Sequence, residues 1–387
     1  MFNILTLNEI SNKGTDKLKN TDFVVTPDAL APEAIMVRSA SMHNMELAPN
    51  LLAISRAGAG TNNIPIEKCT EQGIVVFNTP GANANAVKEL TLAGLLLASR
   101  EIIAGTTWTQ TLAAEADIAA VVEKGKKAFI GPEISGKTLV VAGLGAIGVL
   151  VANAALSLGL KVIGYDPYLS VTSALLINNG VKIVENLDKA IGQADYLTLH
   201  VPYQASTKYM FNQAMFEKIK PGCRILNFSR GELVDNTALI AALDLGIVAK
   251  YVTDFPTAEL LNLQNVICIP HLGASTPESE ENCAEMAATE LAAFLKYGVI
   301  KNSVNFPTCE SPYINKPRIT LIHKNIPKMV GQVTNILADE NLNIDNMINK
   351  SRGEIAYTVV DLDSLNDAPK IISLLEQIPG MVKVRLI

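Results

Sequence analysis

Short apolar runs alternate with polar or amphipathic stretches along most of the chain. Ile35-Met36-Val37, Leu51-Leu52-Ala53-Ile54-Ser55 and Ile74-Val75-Val76-Phe77 have the length and character of buried parallel strands, and intervening segments such as 66–72 suit helices. Residues 87–103 place Leu90, Leu92, Leu95, Leu96 and Leu97 on a broad apolar face and predict a helix, whereas 106–127 has no comparable pattern. Further strands are predicted at 139–142, 161–165, 181–184, 196–200, 224–227, 249–253 and 266–269, with helices between them, as at 237–245. Alternation of this kind predicts doubly wound parallel sheets. After a Pro-containing linker, 307–317, the pattern becomes strand 318–323, helix 327–340, strands 344–351 and 354–361, helix 368–377 and strand 382–386. That βαββαβ order is ferredoxin-like. The expected fold class is α/β, with two doubly wound parallel-sheet domains and a C-terminal ferredoxin-like βαββαβ domain.

The most specific chemistry lies at the first strand of the second layer. Leu139-Val140-Val141-Ala142 runs into Gly143-Leu144-Gly145-Ala146-Ile147-Gly148, and the next strand ends at Asp166. Gly143 permits a tight turn, Gly145 lets backbone approach a pyrophosphate, and Gly148 lets the following helix pack on the strand. The helix N-terminus offers unpaired N–H groups and a positive dipole end to phosphates. Asp166 can accept from ribose hydroxyls and would repel a 2′-phosphate, so the cofactor expected is NAD rather than NADP. The uncharged stretch 138–160 is also long enough to cross a bilayer. Glycines clustered at one end, with a strand pattern before them and another directly after the stretch, favour the nucleotide turn.

Composition narrows the partners. With 387 residues, 49% hydrophobic and 18% charged, the chain should hold two or three well-buried domains. A net charge of −6 without a basic tract argues against nucleic acid. The N-terminus lacks the charged and apolar regions of a signal peptide. Five scattered cysteines without CxxC spacing indicate neither a metal site nor a disulfide framework, so a cytoplasmic location is expected.

Ligands of open α/β sheets bind at the carboxyl ends of strands. In the first layer those ends carry Arg38-Ser39-Ala40, Arg56-Ala57-Gly58-Ala59-Gly60 and Asn78-Thr79-Pro80-Gly81-Ala82-Asn83. In the second they carry Ser229-Arg230-Gly231, Asp254 to Glu259, and Pro270-His271-Leu272-Gly273. An arginine, a carboxylate and a histidine together suit oxidation of a 2-hydroxy acid. Arginine grips an α-carboxylate with a planar fork, histidine takes the hydroxyl proton, and a carboxylate fixes the imidazole tautomer. His200, which also ends a strand, better suits the wall of the cofactor groove.

These motifs, in this order over essentially the whole chain, resemble the NAD-dependent D-2-hydroxyacid dehydrogenases, and within them the branch acting on phosphoglycerate. The resemblance implies that Arg230, Glu259 and His271 are catalytic. It implies that Arg38, Ser39, Arg56, Gly58 and Asn83, with Arg230 and His271, bind substrate. Gly143, Gly145, Ala146, Ile147, Gly148, Asp166, Ser229, Arg230 and Asp254 would line the NAD site. It further implies a discontinuous substrate domain (1–97 and 284–310), a cofactor domain (98–283) and a C-terminal ACT domain (316–387) in which His323, Asn325 and Asn343 hold L-serine.

The activity implied is oxidation of 3-phospho-D-glycerate to 3-phosphohydroxypyruvate, the first step toward serine, by a homodimer or homotetramer. A hydroxypyruvate or glyoxylate reductase and a non-enzymatic NAD(H)-sensing scaffold are the rival readings. Three departures stand out. Leu260-Leu261 follow Glu259 where the family usually has proline, Ala40 replaces a basic residue of some relatives, and Lys328 stands where glycine is common.

Overall fold

The computed structural model describes residues 1–19 and 22–387. They divide into two compact units, 1–83 with 277–387, and 84–276.

The first unit contains two sheets. Its larger sheet joins β1 (Phe2–Leu7), β2 (Phe23–Thr26), β3 (Ala34–Val37), β4 (Ala53–Arg56) and β5 (Val75–Phe77) in the order β2-β1-β3-β4-β5, all parallel. β3 to β5 follow the predicted runs, while β1 and β2 are additional. The helix Pro277–Tyr297 completes this layer from late in the chain: Ser55 Oγ donates to the Ala287 carbonyl at 3.0 Å. A Cβ on Gly14 would stand 2.5 Å from the Ala284 backbone, so only glycine allows that approach.

The second sheet of this unit is the expected ferredoxin-like module. β13 (Arg318–Lys324), β14 (Ile344–Arg352), β15 (Ile355–Leu362) and β16 (Met381–Leu386) form an antiparallel sheet ordered β14-β15-β13-β16. One face packs on the helices Met329–Asp339 and Ala368–Glu376 through Leu321, Val333, Leu337, Val360 and Leu375. Ile322, Tyr357 and Val359 join the core of the larger layer instead. Arg318 is fully buried. It makes a two-point ion pair with Asp361 and donates to the carbonyls of Tyr297, Ser311 and Pro312. It therefore ties the end of the long helix, the linker and the small sheet to one guanidinium. Lys383 Nζ donates to the Leu51 carbonyl at 2.7 Å, and Arg385 to that of Leu295 at 2.9 Å.

Lys328 adopts φ +70°, ψ −4° at the start of Met329–Asp339. A left-handed conformation explains the usual glycine there, because a Cβ disfavours it by about 1–2 kcal/mol. Lys328→Gly should stabilise the chain by about 1 kcal/mol in chemical unfolding. A loss of stability would show that the lysine side chain compensates.

The second unit is one parallel sheet of β6 (Thr138–Ala142), β7 (Lys161–Tyr165), β8 (Lys182–Val184), β9 (Tyr196–Leu199), β10 (Cys223–Asn227), β11 (Val248–Thr253) and β12 (Val266–Cys268). The order is β12-β11-β10-β9-β6-β7-β8, so the connection reverses at β6, the position where such sheets open a binding crevice. Apolar residues from both faces, including Val140, Leu197 and Ile225 on one side and Val141, Leu226 and Val252 on the other, form two cores. The uncharged stretch at 138–160 resolves into strand β6 and the helix Ala146–Ser157. Among the described residues no single helix is long and apolar enough to cross a membrane.

The predicted helix at 87–103 runs over Ala84–Ser99, with a separate helix at Ile102–Gln110. Val87, Leu95 and Ala98 share a core with Val141 and Leu226, which places the whole helix in the second unit. The boundaries therefore fall after Asn83 and Thr276, earlier than the expected 97 and 283. The unpatterned stretch after it forms Ile102–Gln110 and Ile118–Gly125, neither with a buried residue.

Candidate active site

β6 delivers the chain to Gly143, whose φ is +95°. A Cβ there would lie 2.4 Å from the His200 carbonyl oxygen. At Gly148 it would lie 1.9 Å from the Gly143 carbonyl oxygen, so the turn closes against the helix only without side chains. Gly145 differs: nothing stands within 4 Å of its Cβ position, leaving open space before the N-terminus of Ala146–Ser157. That open approach and the free helix-end amides fit a pyrophosphate. Asp166 also braces the turn. Its carboxylate accepts the Leu144 and Tyr168 N–H groups, each at 2.8 Å.

At the ends of β10, β11 and β12 the expected ionisable residues come together. Asn227, fully buried at the last position of β10, holds the loop that follows. Its amide donates to the Arg230 carbonyl at 2.9 Å and its oxygen accepts the Ser229 N–H at 3.2 Å. Ser229 Oγ donates to the Val201 carbonyl at 2.6 Å, and Arg230 is half-buried. The sequence reading missed Asn227; a polar residue ending the apolar run Ile225-Leu226 was the available signal.

Asp254 is 1% exposed, and neither carboxylate oxygen has a hydrogen-bond partner. Burial raises its pKa, opposed by the charges of His271 and Arg230. An orphaned buried carboxylate beside the reacting groups suits a donor such as a carboxamide N–H of a bound cofactor. His200 also faces the glycine turn. Its Nε2 pairs with Thr198 Oγ1 at 3.0 Å, Nδ1 is unpartnered, and burial pushes its pKa down to about 3. It is neutral at working pH, as a groove wall requires.

His271 is exposed, its ring set edge-on to Phe255 with centroids 4.8 Å apart. Asp254, Glu259 and His271 line one cavity of about 670 Å³. Glu259 accepts from Asn236 Nδ2 at 3.3 Å, and no hydrogen bond joins it to His271 among the described residues.

In the first unit, Arg38 and Arg56 follow adjacent strands. Arg56 Nε donates to the Arg38 carbonyl at 3.0 Å, and the missing side chain of Gly58 leaves room for the Arg56 guanidinium. The Ser39 and Ala40 amides donate to Asn8 Oδ1. Asn83 ends the loop after β5. Arg38 itself is paired with Glu280 at 2.5 Å, a partner the sequence did not indicate.

The residues expected to hold an amino acid in the C-terminal module are not gathered together. His323 Nδ1–H donates to the Lys324 carbonyl at 2.9 Å and Nε2 pairs with Thr358 Oγ1 at 2.8 Å. Asn325 Nδ2 donates to the Gly353 carbonyl at 3.1 Å. Asn343 donates to Asp363, at the Arg318 end of the sheet. The rise of a strand puts that end roughly 15 Å from His323, so one amino acid in one copy cannot touch all three.

The family model for the NAD-binding domain of D-isomer-specific 2-hydroxyacid dehydrogenases matches residues 92–273. The D-3-phosphoglycerate dehydrogenase of Haemophilus influenzae is 32% identical over 358 residues, covering 89% of this chain and 83% of that protein. The chain belongs to the D-isomer-specific 2-hydroxyacid dehydrogenase family. Its second unit is the NAD-binding domain of that family. The D-3-phosphoglycerate dehydrogenase of Methanocaldococcus jannaschii is 33% identical over 327 residues, 82% of this chain. The chain spans 59% of that protein's length and 52% of an Archaeoglobus fulgidus counterpart. Among solved structures, the NAD⁺-bound 3-phosphoglycerate dehydrogenase of Entamoeba histolytica shares the fold, with TM-score 0.61 and 24% identity over 79% of this chain and 98% of that one.

Proposed function

We propose that this 2-hydroxyacid dehydrogenase oxidises 3-phospho-D-glycerate to 3-phosphohydroxypyruvate with NAD. The observation that carries the reading is the convergence of Arg230, Asp254 and His271 at three neighbouring strand ends beside the glycine turn. Gly145, Ala146, Ile147 and Asp166 would hold the cofactor's diphosphate and ribose, with Ser229 and Asp254 toward its nicotinamide. When bound, NAD supplies the acceptor for the hydride leaving C2. Arg230 binds the substrate carboxylate with its planar fork and polarises the C2 oxygen. His271 takes the hydroxyl proton as C2 becomes a ketone and returns it in reverse. Glu259 is the expected partner of the imidazolium; reorientation of its exposed side chain away from Asn236 would bring that about. Arg38 and Arg56 meet the phosphate.

The C-terminal module is proposed as regulatory, with L-serine its effector, and the assembly as a homodimer or homotetramer. Exposed Ile102, Ile103 and Ile118 in the second unit support self-association. A cytoplasmic location suits the five free cysteines. The test is NADH formation from 3-phosphoglycerate at alkaline pH with the product trapped, with and without L-serine. Turnover supports the activity, and suppression by serine supports the effector. Activity confined to unphosphorylated hydroxypyruvate moves the protein to the reductase reading. NADH binding without turnover of either moves it to the scaffold reading.

The pairing of Arg38 with Glu280 adds an expectation. A substrate phosphate must displace this carboxylate. Glu280→Gln should lower KM for 3-phosphoglycerate about two- to five-fold, the range of a partly exposed ion pair, with kcat little changed. An unchanged or higher KM would remove Arg38 from the phosphate site.

A further inference from the structure

The helix Pro277–Tyr297 carries an acid that the proposed chemistry does not use. Glu290 is 7% exposed and lines a cavity of about 480 Å³ within the first unit. Oε1 accepts from Asn302 Nδ2 at 2.6 Å, while the buried Oε2 has no partner. Burial pushes this carboxyl up to about 7, against the pull of Asn302 and Lys301. A buried carboxylate lacking a donor on one oxygen is costly unless something supplies it. The rest of the wall is polar. Lys301 stands near Glu290, and Lys17 pairs with Glu285 at 3.0 Å, satisfying both.

We infer that this cavity binds a small zwitterionic amino acid, with its ammonium on Glu290 Oε2 and its carboxylate on Lys301. A simple amine would satisfy Glu290 but face Lys301 unscreened, and a simple acid would meet Lys301 while opposing Glu290. Only a ligand carrying both charges answers both walls, and the volume is ample for one. The site is distinct from His323, Asn325 and Asn343. It also has a route to the expected substrate loops. The Asn302 carbonyl accepts the Asn78 N–H at 3.3 Å, and Asn78 Nδ2 donates to the Ala59 carbonyl at 2.6 Å.

The test is thermal unfolding of the full chain with each of the twenty proteinogenic amino acids, and with ethylammonium and acetate as half-molecules. At least one amino acid at 10 mM should raise Tm by about 1–3 °C while neither half-molecule does so, as linkage to a millimolar site requires. Glu290→Gln and Lys301→Ala should each abolish the shift, and His323→Ala should leave it intact. Thr289→Phe, which fills the cavity from an exposed helical position, should also abolish it and serves if Glu290→Gln fails to fold. No shift with any amino acid overturns the proposal. So does a shift that survives Lys301→Ala and Thr289→Phe, or one matched by ethylammonium. None of these readouts depends on turnover, so the proposed dehydrogenase activity stands or falls separately.

Discussion

His271→Ala should reduce turnover of 3-phosphoglycerate by about 10²–10⁴-fold, the usual contribution of a positioned general base. Water can replace the imidazole as proton acceptor but is neither oriented nor basic enough at neutral pH. NADH affinity should hold within a few-fold, because the glycine turn is closed by Gly143, Gly148 and Asp166, none of which touches His271. Steady-state kinetics and NADH fluorescence titration separate the two effects. Turnover within tenfold of wild type would take the proton-transfer role away from His271. Orphaned Asp254 would then be the next candidate, since its raised pKa already makes it a better base than an ordinary carboxylate.

The largest effect on stability should come from Arg318. Replacing it with methionine leaves Asp361 buried without its cation, a loss of about 3–5 kcal/mol for a buried pair. It also strips the carbonyls of Tyr297, Ser311 and Pro312 of their donor. Arg318→Met/Asp361→Leu removes the stranded charge and should recover part of the loss, but not all, since the three carbonyls stay unsatisfied. Chemical unfolding of both variants gives the comparison. If the double variant were no more stable than the single one, the carbonyl contacts, and not the ion pair, would be what the guanidinium supplies.

Much of the second unit was legible because a parallel sheet buried on both faces writes each strand as a continuous apolar run. β6 to β12 accordingly lie within two residues of their predicted positions. β1 was harder to read. Phe2-Asn3-Ile4-Leu5-Thr6-Leu7 interleaves polar residues, and only Ile4 and Leu5 are buried. Residues 102–125 gave no signal because their helices bury almost nothing within the chain. For the site, strand ends located Arg230, Asp254 and His271. Sequence could not show that Glu259 bonds Asn236, that Glu280 occupies Arg38, or that His323 spends both ring nitrogens internally. These are side-chain pairings between distant positions. Lys328 is the reverse case: its departure from glycine was visible, and the left-handed backbone supplies the reason.

The late helix that completes the first sheet also sets an order of events during synthesis. β4 waits for Ala287, 232 residues downstream of Ser55, before its buried hydroxyl finds an acceptor. Residues 84–276 form a contiguous unit that needs no such partner. On the ribosome the middle of the chain should therefore fold first, while the strands that emerged before it stay without a lid. Domains usually mature from the N-terminus onward, and here that sequence is inverted. The apolar edges of β1 to β5 are the nascent surface that most needs a chaperone.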